Sequence, residues 1–142
     1  MTKITCTRQI SFDAAHRVML HEGKCKHLHG HRYTIEVTFQ ADELDTLGRV
    51  VDFGLIKEVL GAWVDTHWDH TLILWENDKQ LGEDVATHTK QTVYYMPTNP
   101  TAENMALYLI ETICPKLFTA HGVKCTHLTI HETPNCSASA HV

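Results

Sequence analysis

The segment Cys25-Lys26-His27-Leu28-His29-Gly30-His31 places one thiol and three imidazoles within seven residues, then runs directly into the alternation Tyr33, Ile35, Val37, Phe39. That junction constrains the fold more than any other stretch. With the strand pattern extended back to His29, period two puts His29 and His31 on one face, the face of Tyr33 and Ile35. Two imidazoles then converge at the inward end of a β-strand, and Gly30 between them leaves room for close approach. Three histidines suit zinc and leave a fourth position open for water or substrate. His16 is the candidate third ligand, because Ile10, Phe12 and Ala14 form one face of an earlier strand and His16 ends that row. A lone His-X-His is better explained as an exposed turn, and a lone His16 as a satisfied core histidine. Two strand ends carrying inward histidines beside a cysteine reverse that preference.

The chain of 142 residues is long enough for one domain, 1–142, with a real core. A net charge of −5 argues against nucleic-acid binding, which needs a basic face. No apolar run is long enough to span a membrane, and the N-terminus enters strand alternation without a signal-peptide core, so a cytoplasmic location is expected. The five cysteines, Cys6, Cys25, Cys114, Cys125 and Cys136, form an odd set with no C-x-x-C pair. Neither a disulfide framework nor a cysteine-rich zinc knuckle is expected.

Residues 3–16 read as a first strand and 31–41 as a second, joined by a polar, basic turn and able to pair as antiparallel neighbours. Asp52 caps a helix over about 53–67, whose stripe is Leu55, Ile56, Val59, Leu60, Trp63 and Val64. The segment 75–97 is polar and weakly periodic, with a short helix possible at 80–87, and reads as a long loop that is functional or partly disordered. Asn99-Pro100-Thr101 starts a second helix with Ala106, Leu109, Ile110, Ile113 and Leu117 on its buried side, and Pro115 predicts a kink or break near Cys114. A last strand covers 125–132, with a short one possible at 137–142. The order gives an α+β fold, helices on one face of an antiparallel sheet.

Further candidates each have a plain explanation. Asp69-His70 reads as a polar helix terminus or as a carboxylate fixing the tautomer of a proton-transfer histidine. Glu132 extends the apolar row Leu128, Ile130; it is either solvated at a strand end or satisfied by a ligand with adjacent N–H donors. Cys25 is a fourth zinc ligand, a general base or inert; a thiolate near a zinc and the basic Lys24 and Lys26 would have its pKa lowered. The same lysines with Arg17 could meet a phosphate, although a solvated basic turn is simpler.

Phe12-x-Ala14-Ala15-His16, Cys25-x-x-x-His29-Gly30-His31, Val51-Asp52-Phe53, Asp69-His70, Pro100-Thr101-x-Glu103-Asn104 and Glu132-Thr133 together resemble the ordered motifs of the 6-pyruvoyltetrahydropterin synthase family. Within it, the short Cys25-to-His29 spacing resembles the 6-carboxy-5,6,7,8-tetrahydropterin synthases of queuosine biosynthesis. The resemblance implies a tunnelling fold: a four-stranded antiparallel sheet with two helices on one face, three sheets closing a barrel, and two trimers stacking into a homo-hexamer with interfacial active sites. It implies zinc on His16, His29 and His31, Cys25 as general base, Asp69 and His70 as the second proton-transfer pair, Glu132 as pterin anchor and Thr101 as a further pterin contact. The implied reaction is a lyase conversion of 7,8-dihydroneopterin triphosphate to 6-carboxytetrahydropterin with release of acetaldehyde and triphosphate.

Alternatives of other kinds are a pyruvoyl-forming synthase that keeps the carbon chain, a non-catalytic zinc or pterin binder, and a histidine-rich metal store. Three departures from the family pattern stand out: Trp68 in place of an aliphatic residue before Asp69-His70, the length of 75–97, and the short tail after Thr133.

Overall fold

The computed structural model describes residues 2–142. Two twelve-residue strands dominate it, β1 (Thr5–His16) and β2 (His29–Gln40), paired antiparallel from Thr5 opposite Gln40 to His16 opposite His29. Both carry strict alternation over their inward halves, so one register alone buries Phe12, Ala14, Tyr33, Ile35, Val37 and Phe39 together. That register also sets His16 beside His29 and Ala14 beside His31.

β2 pairs antiparallel with β5 (Lys124–Thr133), which pairs antiparallel with β6 (Cys136–His141). These four strands are the expected antiparallel sheet, and the short tail does form its closing strand. On the other side the sheet continues, correcting the expectation of four strands. β3 (Leu72–Trp75) runs parallel to β1, and β4 (Val93–Met96) parallel to β3, giving a six-stranded sheet in the order β4-β3-β1-β2-β5-β6.

The stretch expected to be a long loop is therefore ordered. Helix α2 (Lys79–Thr89) is the crossover of a β3-α2-β4 unit, the connection that parallel neighbours require. Each flanking strand has four residues, too few to show a period, and α2 buries little of its length. Tyr94 and Met96 join the main core, so alternation turns Tyr95 to the opposite face, where it meets Gly82 of α2. A third helix thus lies on the far side of the sheet from the other two.

Those two cover the apolar face. Helix α1 spans 53–67 as expected, capped by Asp52, whose carboxylate accepts from the Gly54 N–H at 3.0 Å. Helix α3 spans 102–118 and is capped by Thr101, whose hydroxyl accepts from the Asn104 N–H at 3.1 Å. Ile56, Leu60 and Val64 of α1 and Met105, Leu109 and Phe118 of α3 are fully buried against the strands. The expected break near Cys114 does not occur. A π turn over Leu109–Ile113, with the Cys114 N–H bonded to the Leu109 carbonyl, opens the helix in front of Pro115 and lets it continue to Phe118.

The other sheet face is polar. Thr7 meets Thr38 at 2.7 Å, Ser11 meets Thr34 at 3.0 Å, and Arg32 donates to Asp13 at 3.0 Å across the β1-β2 pair. Among the described residues, no helix is long and apolar enough to cross a membrane.

Candidate active site

The two long strands deliver His16, His29 and His31 to one end of the helix-covered face. One ligand atom from each lies within 4.8 Å of the others, and these three form the single group of metal-ligating side chains found among the described residues. His16 is 1% exposed, and burial pushes its pKa down to about 4, opposed by its bond to the Pro100 carbonyl and reinforced by His29 and His31. It is neutral near pH 7, the state a metal needs.

The tautomers decide what the cluster can hold. His16 Nδ1 donates to the Pro100 carbonyl at 2.8 Å, and His29 Nδ1 donates to the His27 carbonyl at 2.7 Å. A carbonyl accepts only, so each ring, in its neutral form, carries its proton on Nδ1 and presents a bare Nε2. Those two Nε2 atoms face one another at 3.0 Å. Two lone pairs at that separation repel unless a proton or a cation sits with them. Carbonyl acceptors behind ligating imidazoles are also the usual support of a metal centre, so the donor set fits a divalent metal such as zinc.

Next to the cluster, Glu132 lies on the face of Leu128 and Ile130, and its Oε1 is 3.5 Å from His31 Nε2. His31 Nε2 and the Tyr33 hydroxyl are both buried without a hydrogen-bond partner. Burial, with the Glu132 charge behind it, pushes the Tyr33 phenol well above its usual range and keeps it neutral. Burial lowers the His31 pKa, against the pull of Glu132. A phenol and an imidazole nitrogen left without hydrogen bonds beside a partly exposed carboxylate are what a polar ligand would satisfy.

Cys25 sits on a short 3-10 turn, Lys24–Lys26, between β1 and β2. It is partly exposed and is not one of the three clustered ligands. Arg17 is not free to meet a phosphate: its guanidinium makes a two-pronged ion pair with Asp78, which is 4% exposed. Lys24 and Lys26 remain exposed.

Asp69 and His70 form the expected pair, with His70 Nδ1 3.0 Å from Asp69 Oδ2. Asp69 Oδ1 accepts from the Asp13 N–H at 3.0 Å, and His70 is held at φ +58° by its own N–H on the Asp13 carbonyl and by Gln91 Nε2 on its carbonyl. The His70 side chain is 77% exposed. The pair stands beside Asp13 and Arg32, whose side chains lie on the sheet face opposite the histidine cluster. Among the described residues no hydrogen bond or ion pair joins it to the cluster within one chain. Trp68, just before the pair, is fully buried and packs against Phe12 at 5.7 Å and Trp63 at 5.1 Å, forming an aromatic base beneath it.

The model of the 6-pyruvoyl tetrahydropterin synthase family matches residues 5–141. The chain belongs to this family. It is 53% identical over 133 residues to the 6-carboxy-5,6,7,8-tetrahydropterin synthase of Rickettsia bellii, covering 94% of this chain and 96% of that protein. Among solved structures it resembles the 6-pyruvoyl tetrahydropterin synthase of Caenorhabditis elegans, with a TM-score of 0.72 and 26% identity over 100% of this chain and 97% of that one. An uncharacterized protein of Wolinella succinogenes shares the fold at a TM-score of 0.78 and 21% identity, covering 99% of each chain. Membership makes the chain an enzyme of the pterin-synthase kind.

Sequence reasoning missed the family site's supports. The carbonyls of Pro100 and His27 set two tautomers, yet backbone acceptors carry no residue-type signal. Asp78 and Gln91 were hidden in a segment read as loop. Tyr33 was visible, but only as a core residue in an alternating row. Thr101 is placed at the start of α3, where its hydroxyl is engaged as a helix cap.

Proposed function

We propose that this enzyme is a zinc-dependent lyase that converts 7,8-dihydroneopterin triphosphate to 6-carboxy-5,6,7,8-tetrahydropterin, releasing acetaldehyde and triphosphate, as a step toward queuosine. The observation that carries the reading is the facing pair of Nε2 atoms on His16 and His29, set beside the buried, unbonded His31 Nε2 and Tyr33 hydroxyl and the Glu132 carboxylate. Similarity to the Rickettsia bellii protein supports the carboxy branch over the pyruvoyl branch.

His16, His29 and His31 would hold the zinc, which supplies Lewis-acid polarisation of side-chain oxygens on the substrate. Glu132 accepts the adjacent ring N–H groups of the pterin and fixes its orientation, with Thr101 a further contact. Cys25 takes a proton from the substrate side chain. Asp69 receives the Nδ1 proton of His70 as a hydrogen bond, which leaves His70 Nε2 to give or take a proton on the other side. Placement of that pair on the opposite sheet face supports an assembly in which it serves the site of a neighbouring copy. A hexamer of two stacked trimers, its barrels closed by joining sheet edges β4 and β6, fits that placement. Nothing in the reading needs nucleic acid or membrane, and a cytoplasmic location suits it.

The test incubates zinc-loaded protein with 7,8-dihydroneopterin triphosphate, weighs the pterin product and assays acetaldehyde. Carboxytetrahydropterin with acetaldehyde is expected. A pyruvoyl product without acetaldehyde would move the chain to the sister activity, and no turnover with zinc bound would favour a binding role.

A further inference from the structure

The loop between β1 and β2 carries Cys25, and its hydrogen bonds are nearly all internal. The Val18 N–H donates to the Cys25 carbonyl at 2.8 Å, the His21 N–H to the Val18 carbonyl at 3.2 Å, and the His27 N–H to the Lys24 carbonyl at 2.9 Å. The Gly23 N–H donates to His21 Nδ1 at 2.8 Å. Such a loop is well formed but has little to fix its position on the body of the fold.

One side chain supplies that fixing. Asn99 Oδ1 accepts from the Met19 N–H at 3.0 Å, and Asn99 Nδ2 donates to the Met19 carbonyl at 2.8 Å. Beyond the Arg17 pair at the loop's root, no other hydrogen bond among the described residues ties 18–26 to another element. Met19 follows Val18 directly, and Val18 is bonded to Cys25, so the tether reaches the thiol-bearing residue in two steps. Asn99 is itself fixed: its carbonyl accepts from the Thr101 N–H at 2.8 Å and from Asn104 Nδ2 at 3.0 Å. The next residue, Pro100, holds His16 Nδ1.

We infer that Asn99 is a positioning residue: its carboxamide holds the Cys25 loop at a set distance from the histidine cluster, so that a single turn before α3 aligns the thiol and the metal site. Asparagine suits the task because its carboxamide offers an acceptor and a donor on two separate atoms, which reach a single residue's N–H and C=O together. Aspartate at this place keeps the Met19 N–H bond and turns the other into a repulsion. The inference rests on the reading of Cys25 as a catalytic group only for its kinetic consequence.

The test compares Asn99→Ala and Asn99→Asp with the parent and with Cys25→Ala, all zinc-loaded. Site-resolved mass spectrometry follows iodoacetamide labelling of Cys25 against exposed Cys136, hydrogen exchange is read over 18–27, and kcat and KM are measured. In Asn99→Ala, zinc content is unchanged, Cys25 labelling and loop exchange change several-fold while Cys136 does not, and kcat falls roughly ten-fold or more with little change in KM. Asn99→Asp, isosteric and able to keep one bond, lies between the two and covers the case in which the alanine variant folds poorly. In a Cys25→Ala background Asn99→Ala has no further effect on the residual rate. Unchanged labelling and exchange in both Asn99 variants would overturn the tether. Equal loss of rate with and without Cys25 would overturn its action through that residue. Full turnover in Cys25→Ala would instead refute the catalytic assignment of Cys25 while labelling and exchange still judge the tether.

Discussion

His16 and His29 show how much a single proton position decides. Each ring could carry its hydrogen on either nitrogen, and it is the carbonyl behind each that turns Nε2 into a bare donor atom. Asp69 is shaped in the same local way. Burial would raise its pKa, but the Asp13 N–H, then His70, outweigh it and hold the carboxyl below its ordinary 3.8. A carboxyl depressed in the folded state adds stability above its unfolded value and loses it as pH falls through the lower folded one. Below about pH 4 the melting temperature of the parent therefore falls more steeply than that of Asp69→Asn; parallel acid slopes would show that the pair contributes nothing to the fold. The motif residues at this scale were legible because their types are rare in strand interiors. Their supports were not: the carbonyls of Pro100 and His27 could belong to any residue, and only the folded backbone aims them.

At the scale of elements, β1, β2 and α1 were readable because each repeats its period several times. β1 and β2 alternate over twelve residues each, and α1 shows an apolar stripe over four turns. β3 and β4 offered four residues each and were lost in a polar stretch. Pro115 misled for a different reason, since a π turn is a response of the backbone that composition does not announce. The β3-α2-β4 unit earns its place by delivering Asp78 to Arg17 and Gln91 to the His70 carbonyl, one on each flank of the site. Its fit depends on Gly82, where an added Cβ would lie 2.1 Å from the Tyr95 hydroxyl oxygen. Gly82→Ala is expected to cost about 1–3 kcal/mol through that clash, read by urea denaturation. A variant as stable as the parent would show that Tyr95 swings away freely.

For the whole molecule, one chain is a scaffold that carries the groups proposed for catalysis on two sides of a sheet. The histidine cluster and Glu132 lie under the helices, whereas Asp69-His70 stands by Arg32 on the polar face. If the pair serves a neighbour's site, chains lacking Cys25 and chains lacking His70 repair one another. Refolding an equal mixture of Cys25→Ala and His70→Ala should restore activity in about a quarter of the sites. A mixture as inactive as its components would place both groups in the same chain's site. All of this depends on the register of β1 against β2 building a metal centre, and the most direct measurement is zinc per chain in the parent and in His29→Ala, with circular dichroism to confirm that the variant is folded. The account predicts about one zinc per parent chain and loss of that zinc in the folded variant; a folded His29→Ala protein that keeps full zinc would contradict it.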